Sequence, residues 1–406
     1  MQKKLIVLAV SGALGVPLAA FAQSNVAIYG RANLGLDRYS ATGATATGGD
    51  LATRSRVFDS GSRLGFRGSE NLGGGMEAYF VLETGVNWDS GSNVGQSGGA
   101  TAAGVPQNSA SAGFLGSRDS FLGLKAGWGE ISFGRQSIFW ANGLNAQTGA
   151  NYINASADGL LTGLQAISFP STRQSNVVAY TSQRMAGVDV LVSFSPATQE
   201  PATYTGTNQA RGSLLGLNVK YRMGALYVQG DHAKNKNIGN VAGVDNTGDK
   251  LGVSYGYAPG SRAAIIYQRL KNQNIQAATV AFMPAGVGAA VGNSVQESMW
   301  GVNLEHMIGQ LAIYGGYFRG GEIKGFTGTS GGTKSTAYHV GLKQHLSKRT
   351  GVYVSYNAIK NEANAIADLT GGGYTSGAGG PGAGGMGPAQ AGADPKVWAV
   401  GMMHNF

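Results

Sequence analysis

The sequence predicts an all-β fold: a transmembrane antiparallel β-barrel of sixteen strands, with long external loops and short periplasmic turns. Three observations predict it. Residues 396–406 (KVWAVGMMHNF) put Trp398, Val400, Met402, His404 and Phe406 on one face of a strand. An apolar two-residue period with an aromatic at each end suits a strand with one face in lipid and rings near both water interfaces. The same alternation recurs along the chain, and the connectors between alternating segments are short and long in turn. A closed barrel pairs its last strand with its first, so an ending on the Phe406 strand is what closure leads one to expect.

Taken in order, residues 1–22 read as a signal peptide: Lys3 and Lys4, an uncharged apolar stretch from Leu5, then Ala20-Phe21-Ala22 as a small-x-small cleavage site. Residues 23–406 form the barrel. The first strand sets Val26, Ile28, Ala32, Leu34 and Leu36 against Asn25, Tyr29, Arg31, Asn33 and Asp37. Further on, Leu215, Leu217, Val219 and Tyr221 oppose Asn218, Lys220 and Arg222. Leu251, Val253, Tyr255 and Tyr257 oppose Lys250 and Ser254, while Tyr338, Val340 and Leu342 oppose His339, Lys343 and His345. Short turns fall at 71–75, 127–129, 186–187, 223–224, 259–261, 308–309 and 347–350. Long stretches rich in Gly, Ser, Thr, Asn and Ala fall at 40–55, 91–110, 140–172, 197–212, 235–248, 272–293, 320–333 and 362–395. Seven turns and eight loops require about sixteen strands with both termini on the short-turn side, and a barrel that wide encloses water rather than packed side chains.

Composition agrees. The 406 residues show no linker that divides them, and 68 Gly with only 10 Pro suit many tight turns. A mean hydropathy of -0.07 is compatible with a membrane barrel because half of each strand faces water. The one uncharged stretch that rivals a membrane helix, 272–296, is interrupted by Pro284, Gly286, Gly288 and Gly292 and reads as an external loop. The chain contains no Cys, which excludes disulfides, thiolate catalysis and Cys-based metal sites. Its formal charge is +9, or +7 without the two Lys of the leader. That excess is spread along strands instead of gathered in a basic helix, so no nucleic-acid partner is expected. The five His lack metal-ligand spacing, and no G-x-S-x-G or phosphate-loop motif occurs; neither a cofactor nor an enzymatic activity is expected.

Five segments together resemble the general-diffusion porins of β-proteobacterial outer membranes: SNVAIYGRANLGL after the leader, SGSRLGFRGSENLGGGMEAYFVLETG at 60–85, RDSFLGLKAGWGEISFGRQ at 118–136, LSKRTGVYVSYN at 346–357 and the terminal VGMMHNF. The resemblance implies a homotrimer in which the third long loop, about 140–172, folds into the lumen and narrows it. It also implies basic wall residues facing an acidic loop. Arg63, Arg118 and Arg173 match wall arginines of that kind, and Asp158 is the only acid in the narrowing loop. The chain departs from the family pattern at Asn33, where many relatives carry Asp, and at Met403, where they usually carry Arg.

Strand parity alone puts Arg31, Asn33, Arg67, Lys220, Arg222, Lys250 and Lys343 on the water face. Fewer acids share it: Asp37, Glu77, Glu83, Asp231 and Glu305. An anion about 5 Å from one arginine in water gains ~0.8 kcal/mol before screening, enough to bias traffic without trapping the ion. Arg118 is less secure by parity, since Leu122 and Leu124 share its face. Arg135 shares a face with Ile131 and Phe133, which suggests a rim position or a subunit contact. The expected function is passive passage of ions and small hydrophilic solutes with modest anion preference; the expected partners are those solutes, outer-membrane lipid and lipopolysaccharide. Two rivals remain: a substrate-specific channel on the same barrel, and a secreted β-rich adhesin.

Overall fold

The protein is described by a computed structural model that defines residues 25–86, 88, 115–138, 173–196, 212–238, 242–274, 294–325, 331–369 and 391–406. The expected leader 1–22 and the whole of the third long loop, 140–172 with its Asp158, lie outside the described residues. The strands follow in chain order: β1 (Asn25–Thr42), β2 (Leu51–Asp59), β3 (Arg63–Gly73), β4 (Met76–Gly85), β5 (Ser120–Ala126), β6 (Gly129–Ser137), β7 (Arg173–Ser182), β8 (Val188–Ser195) and β9 (Ser213–Met223). They continue with β10 (Leu226–Lys236), β11 (Asn246–Ala258), β12 (Ser261–Asn272), β13 (Val295–Ile308), β14 (Leu311–Gly320), β15 (Ser335–His345), β16 (Thr350–Asn361) and β17 (Asp394–Asn405).

Successive strands pair antiparallel, and the sheet closes where β17 pairs β1 from Arg31↔Asn405 to Thr42↔Asp394. Closure leaves no open edge in lipid, where an unpaired backbone group has no water to bond. Seventeen segments make sixteen barrel strands because β2 and β3 are halves of one interrupted strand. The lower part of β1 pairs β3 and its upper part pairs β2. Gly61 turns the chain at φ +68°, a conformation without steric penalty only for glycine. Ser62 N–H bonds Asp59 Oδ1 at 2.9 Å. Asn33 spans the gap: its N–H donates to Ser62 Oγ at 2.9 Å and its Nδ2 to the Ser60 carbonyl at 3.1 Å, while Ser60 N–H donates to the Asn33 carbonyl.

The period-two pattern separates the two faces. Val26, Ile28, Leu217, Leu251, Ile265, Val302, Val340 and Val400 are exposed on the outer face, while Asp37, Asn218, Lys250, Gln268, Asn303 and Ser355 on the opposite parity are buried. On the outer face, aromatic rings touch across neighbouring strands: Tyr356 with Trp398 at 4.5 Å, Tyr338 with Tyr356 at 6.2 Å, and Trp300 with Tyr317 at 5.8 Å between centroids. This is half of a girdle at a membrane interface. On the inner face, tyrosines lie across glycines of the next strand. A Cβ on Gly401 would stand 2.3 Å from Tyr353 Oη, and one on Gly65 would stand 2.4 Å from Tyr29 Cζ. The rings cover backbone that would otherwise lose its packing.

The apolar core also lies within the barrel, toward the long-loop end. Tyr39, Tyr314, Phe318, Met299 and Leu270 pack there with Ile323, Ala367, Leu369 and Ala393 from the loop limbs. Tyr39 donates to Asp368 Oδ1 at 3.0 Å, and Asn361 Nδ2 donates to the Ala367 carbonyl at 2.8 Å. The limb that follows β16 is therefore folded inward against β1, an inner contact that the polar composition of the 362–395 stretch does not announce.

Candidate functional site

The inner wall at mid-height carries a band of charge built from five strands and one bend. Arg31, midway along β1, is register partner to Arg63 at the head of β3, so both guanidiniums rise from the same inward row. Glu83 on β4 stands beside them, with Arg63 Nε at 3.5 Å and Tyr29 Oη at 3.2 Å from Oε2. Arg118 Nε pairs with the other carboxylate oxygen. Asp119 then accepts Arg173 Nε at 3.1 Å and the Ser137 N–H and Oγ at 2.9 Å each. Four arginines thus interleave with two carboxylates, a net of two positive charges. Arg31 also lies within electrostatic range of Asp59, which Lys343 offsets from the other side.

The three arginines named from the family pattern, Arg63, Arg118 and Arg173, are brought together with Arg31 on this arc. The acids among them belong to the wall, Glu83 and Asp119; Asp119 has no counterpart in the parity reading. Arg118 defeats the alternation argument because it precedes β5 and sits in a bend after Gly116 (φ +90°). The bend is held by mutual backbone bonds, Arg118 N–H to the Glu83 carbonyl and Glu83 N–H to the Asp119 carbonyl. Arg135, near the end of β6, donates to the Ser117 carbonyl at 3.1 Å and to Ser175 Oγ at 3.0 Å, next to the same bend.

The remaining inward cations divide into pairs. Arg222 pairs with Asp189 and lies 5.0 Å from the Tyr227 ring centroid, with Lys220 beside it. Arg67 is exposed over Tyr29, its Cζ 5.3 Å from the ring centroid. Arg262 pairs with Glu305 at 3.4 Å near Lys343. Three residues of the expected lining are buried in the wall, Arg31 and Lys343 nearly so and Asn33 completely. Asn33 has the inward parity but is fully buried; its amide is consumed by the Ser60 carbonyl and by Tyr353 Oη at 2.7 Å. It joins wall to wall and does not meet solute. Among the described residues no group of three His, Asp or Glu side chains could hold a metal ion.

A closed sheet with a greasy exterior, an aromatic girdle and a charged inner band defines a membrane-spanning channel protein. The family is equally clear: the chain belongs to the Gram-negative porins, whose pattern matches residues 6–364. It is 26% identical to outer membrane porin protein 32 of Delftia acidovorans over the full length of both chains. It is 32% identical to the major outer membrane protein P.IB of Neisseria gonorrhoeae over 233 residues, 56% of each chain. In fold it is similar to the anion-selective porin from Comamonas acidovorans, with a TM-score of 0.63, 20% identity and coverage of 95% of this chain and 100% of that one. It is also similar to the trimer form of OmpT from Vibrio cholerae, with a TM-score of 0.55, 15% identity and coverage of 94% and 99%. The protein is an outer-membrane porin, a channel for ions and small hydrophilic solutes.

Proposed function

We propose that the channel favours anions and that Arg31, Arg63, Arg118 and Arg173 make it do so. The observation that carries this reading is the composition of the mid-height band, four guanidiniums against two carboxylates. Glu83 and Asp119 hold the guanidiniums in place and cancel part of their charge. What remains attracts anions weakly, and weak attraction is what conduction needs, since a deep well would hold the ion. The anion selectivity stated for the Comamonas porin accords with this. Arg67, Lys220, Arg222 and Lys343 add a diffuse positive lining below the band. Asp158 and the rest of the 140–172 loop would narrow the passage from the opposite side. Reversal potentials across planar bilayers in a salt gradient test the reading: their sign should report anion permeation, and a cation sign would overturn it.

The chain acts as a passive conduit without enzymatic chemistry, in keeping with its porin relatives. Residues 1–22 are an export leader absent from the working barrel. The working form is a homotrimer, a form that the Vibrio relative is known to adopt; light scattering in detergent tests this against a monomer. Its surroundings are outer-membrane lipid, with lipopolysaccharide in the outer leaflet.

A further inference from the structure

The inward aromatic rings fall into two groups. Tyr227, Tyr314, Phe318 and Tyr353, on β10, β14 and β16, are buried. On β1, β4 and β5 the inward Tyr29, Tyr79 and Phe121 are only half-buried, and they stand directly on the periplasmic side of the arginine band. Each has a glycine beside it on the next strand. A Cβ would stand 2.4 Å from Tyr29 Cζ at Gly65 and 2.5 Å from Tyr79 Cζ at Gly123, while Phe121 is register partner to Gly134. Tyr79 and Phe121 meet edge to face with centroids 6.1 Å apart. The rings form a shelf laid on backbone with its open side to the water column, where an apolar surface has nothing to bond.

The shelf has a cation at its edge. Arg67 is exposed, forms no ion pair among the described residues, and holds its Cζ 5.3 Å from the Tyr29 ring centroid. In register it pairs Val81, which in turn pairs Phe121, so Arg67 and Phe121 flank Val81 across about 10 Å of inner wall. The inward acids of these strands are engaged elsewhere. Glu83 is held by Arg63, Arg118 and Tyr29, and Glu77 and Glu130 flank Lys125 in the register two rows nearer the periplasm.

We propose that this shelf is a solute subsite of the channel and that it takes aromatic monocarboxylates, the ring lying over Val81 against Phe121 and Tyr79 and the carboxylate on Arg67. Two features select that chemistry. A flat ring covers half-buried rings by offset or edge-to-face stacking, and a guanidinium without a built-in anion presents paired N–H donors to a carboxylate. Arg63 stands four residues further along the same face of β3, so a carboxylate leaving Arg67 meets the band next. One side of the subsite stays open to water, which keeps the hold weak enough for passage. The inference rests on the proposed anion preference and names a class of organic anion that the same wall favours.

The test uses the folded channel in planar bilayers bathed in chloride at neutral pH, with benzoate, cyclohexanecarboxylate or acetate added. The readout is the concentration that halves the chloride current. Wild type should need about fivefold less benzoate than cyclohexanecarboxylate, which matches it in size and charge but has no aromatic face, and acetate should block least. F121L and Y79L should each bring benzoate toward the cyclohexanecarboxylate value. R67Q should weaken both ring acids alike and leave their ratio. L122A, next in sequence to Phe121 but exposed on the lipid face, should keep the wild-type ratio. Equal block by benzoate and cyclohexanecarboxylate in wild type would overturn the subsite. So would a preference that survives both F121L and Y79L, a preference that L122A removes equally, or block that R67Q leaves untouched. A cation-signed reversal potential of wild type in a chloride gradient would instead overturn the anion preference beneath it. Gel mobility with and without heating reports whether each variant is folded.

Discussion

Removing one charge from the arginine band should change ion selectivity by a predictable factor and in a predictable direction. Arg118→Gln leaves Glu83 held by Arg63 and Tyr29, and lowers the net charge of the band from two to one. A permeating ion about 6 Å from one unit of charge in water gains or loses ~0.7 kcal/mol, of which screening over ~8 Å leaves about 0.3. Since anions are enriched and cations depleted together, each unit of charge is worth roughly threefold in the anion-to-cation ratio. Two units predict a ratio of about nine for wild type, and Arg118→Gln should bring it to about three. Glu83→Gln should do the reverse and raise the ratio about threefold, while the double variant should return to the wild-type value. Reversal potentials at a tenfold salt gradient measure all four. If both single variants move selectivity the same way, the effect comes from a changed pore shape and the charge argument fails. If neither moves it, ions do not pass the band.

Asn33→Leu should destabilise the barrel by about 1–3 kcal/mol, because Tyr353 Oη and the Ser60 carbonyl lose their buried partner; the heat-modifiable gel transition should fall in temperature, while selectivity stays unchanged if the residue is structural. Gly401→Ala puts a methyl group 2.3 Å from Tyr353 Oη and 2.7 Å from the Leu34 carbonyl, a collision with backbone at the closing seam. It should cost about 1–3 kcal/mol in urea unfolding, as overpacking commonly does. Glu322, in the loop after β14, is held below the usual carboxylate range: burial alone would raise it, but the Thr333 N–H and hydroxyl and Lys334 outweigh that. A depressed carboxylate stabilises above its unfolded value and ceases to do so as pH falls through the folded one. Amide protection at Ile323 and Thr333 should therefore hold at neutral pH and weaken in acid below the ordinary carboxylate range, and E322Q should abolish that dependence.

Alternation made most of the barrel legible in the sequence. It is the signature of a sheet with unlike solvents on its two faces, and it sorted Leu217 from Asn218 and Val340 from His339 without any knowledge of pairing. Turn composition gave the count of seven turns and eight loops because glycine and polar residues concentrate where strands end. The broken strand was harder to see: Ser60-Gly61-Ser62 lies inside a run that reads as continuous, and only pairing with β1 shows two halves. The charge band was half legible. Arg31 and Arg63 obey parity, whereas Arg118 and Asp119 sit in a bend whose direction depends on bonds to Glu83 across the sheet. Asn33 shows the opposite failure. Its parity is inward as expected, but parity cannot tell a side chain that meets water from one spent on Tyr353, 320 residues away in sequence. The inward-folded limb at 362–369 left no local signal either, since its anchors, Tyr39 and Asn361, lie on strands.

The account stands on lipid outside and water inside along every strand, and β9 offers the most direct measurement. The chain contains no Cys, so single cysteines at Val219, Lys220, Tyr221 and Arg222 can be probed in native membranes with a membrane-impermeant, charged maleimide small enough to enter the channel. Lys220→Cys and Arg222→Cys should label rapidly, and Val219→Cys and Tyr221→Cys should resist until detergent strips the lipid. Labelling at all four positions, or protection of the even-numbered pair, would contradict it.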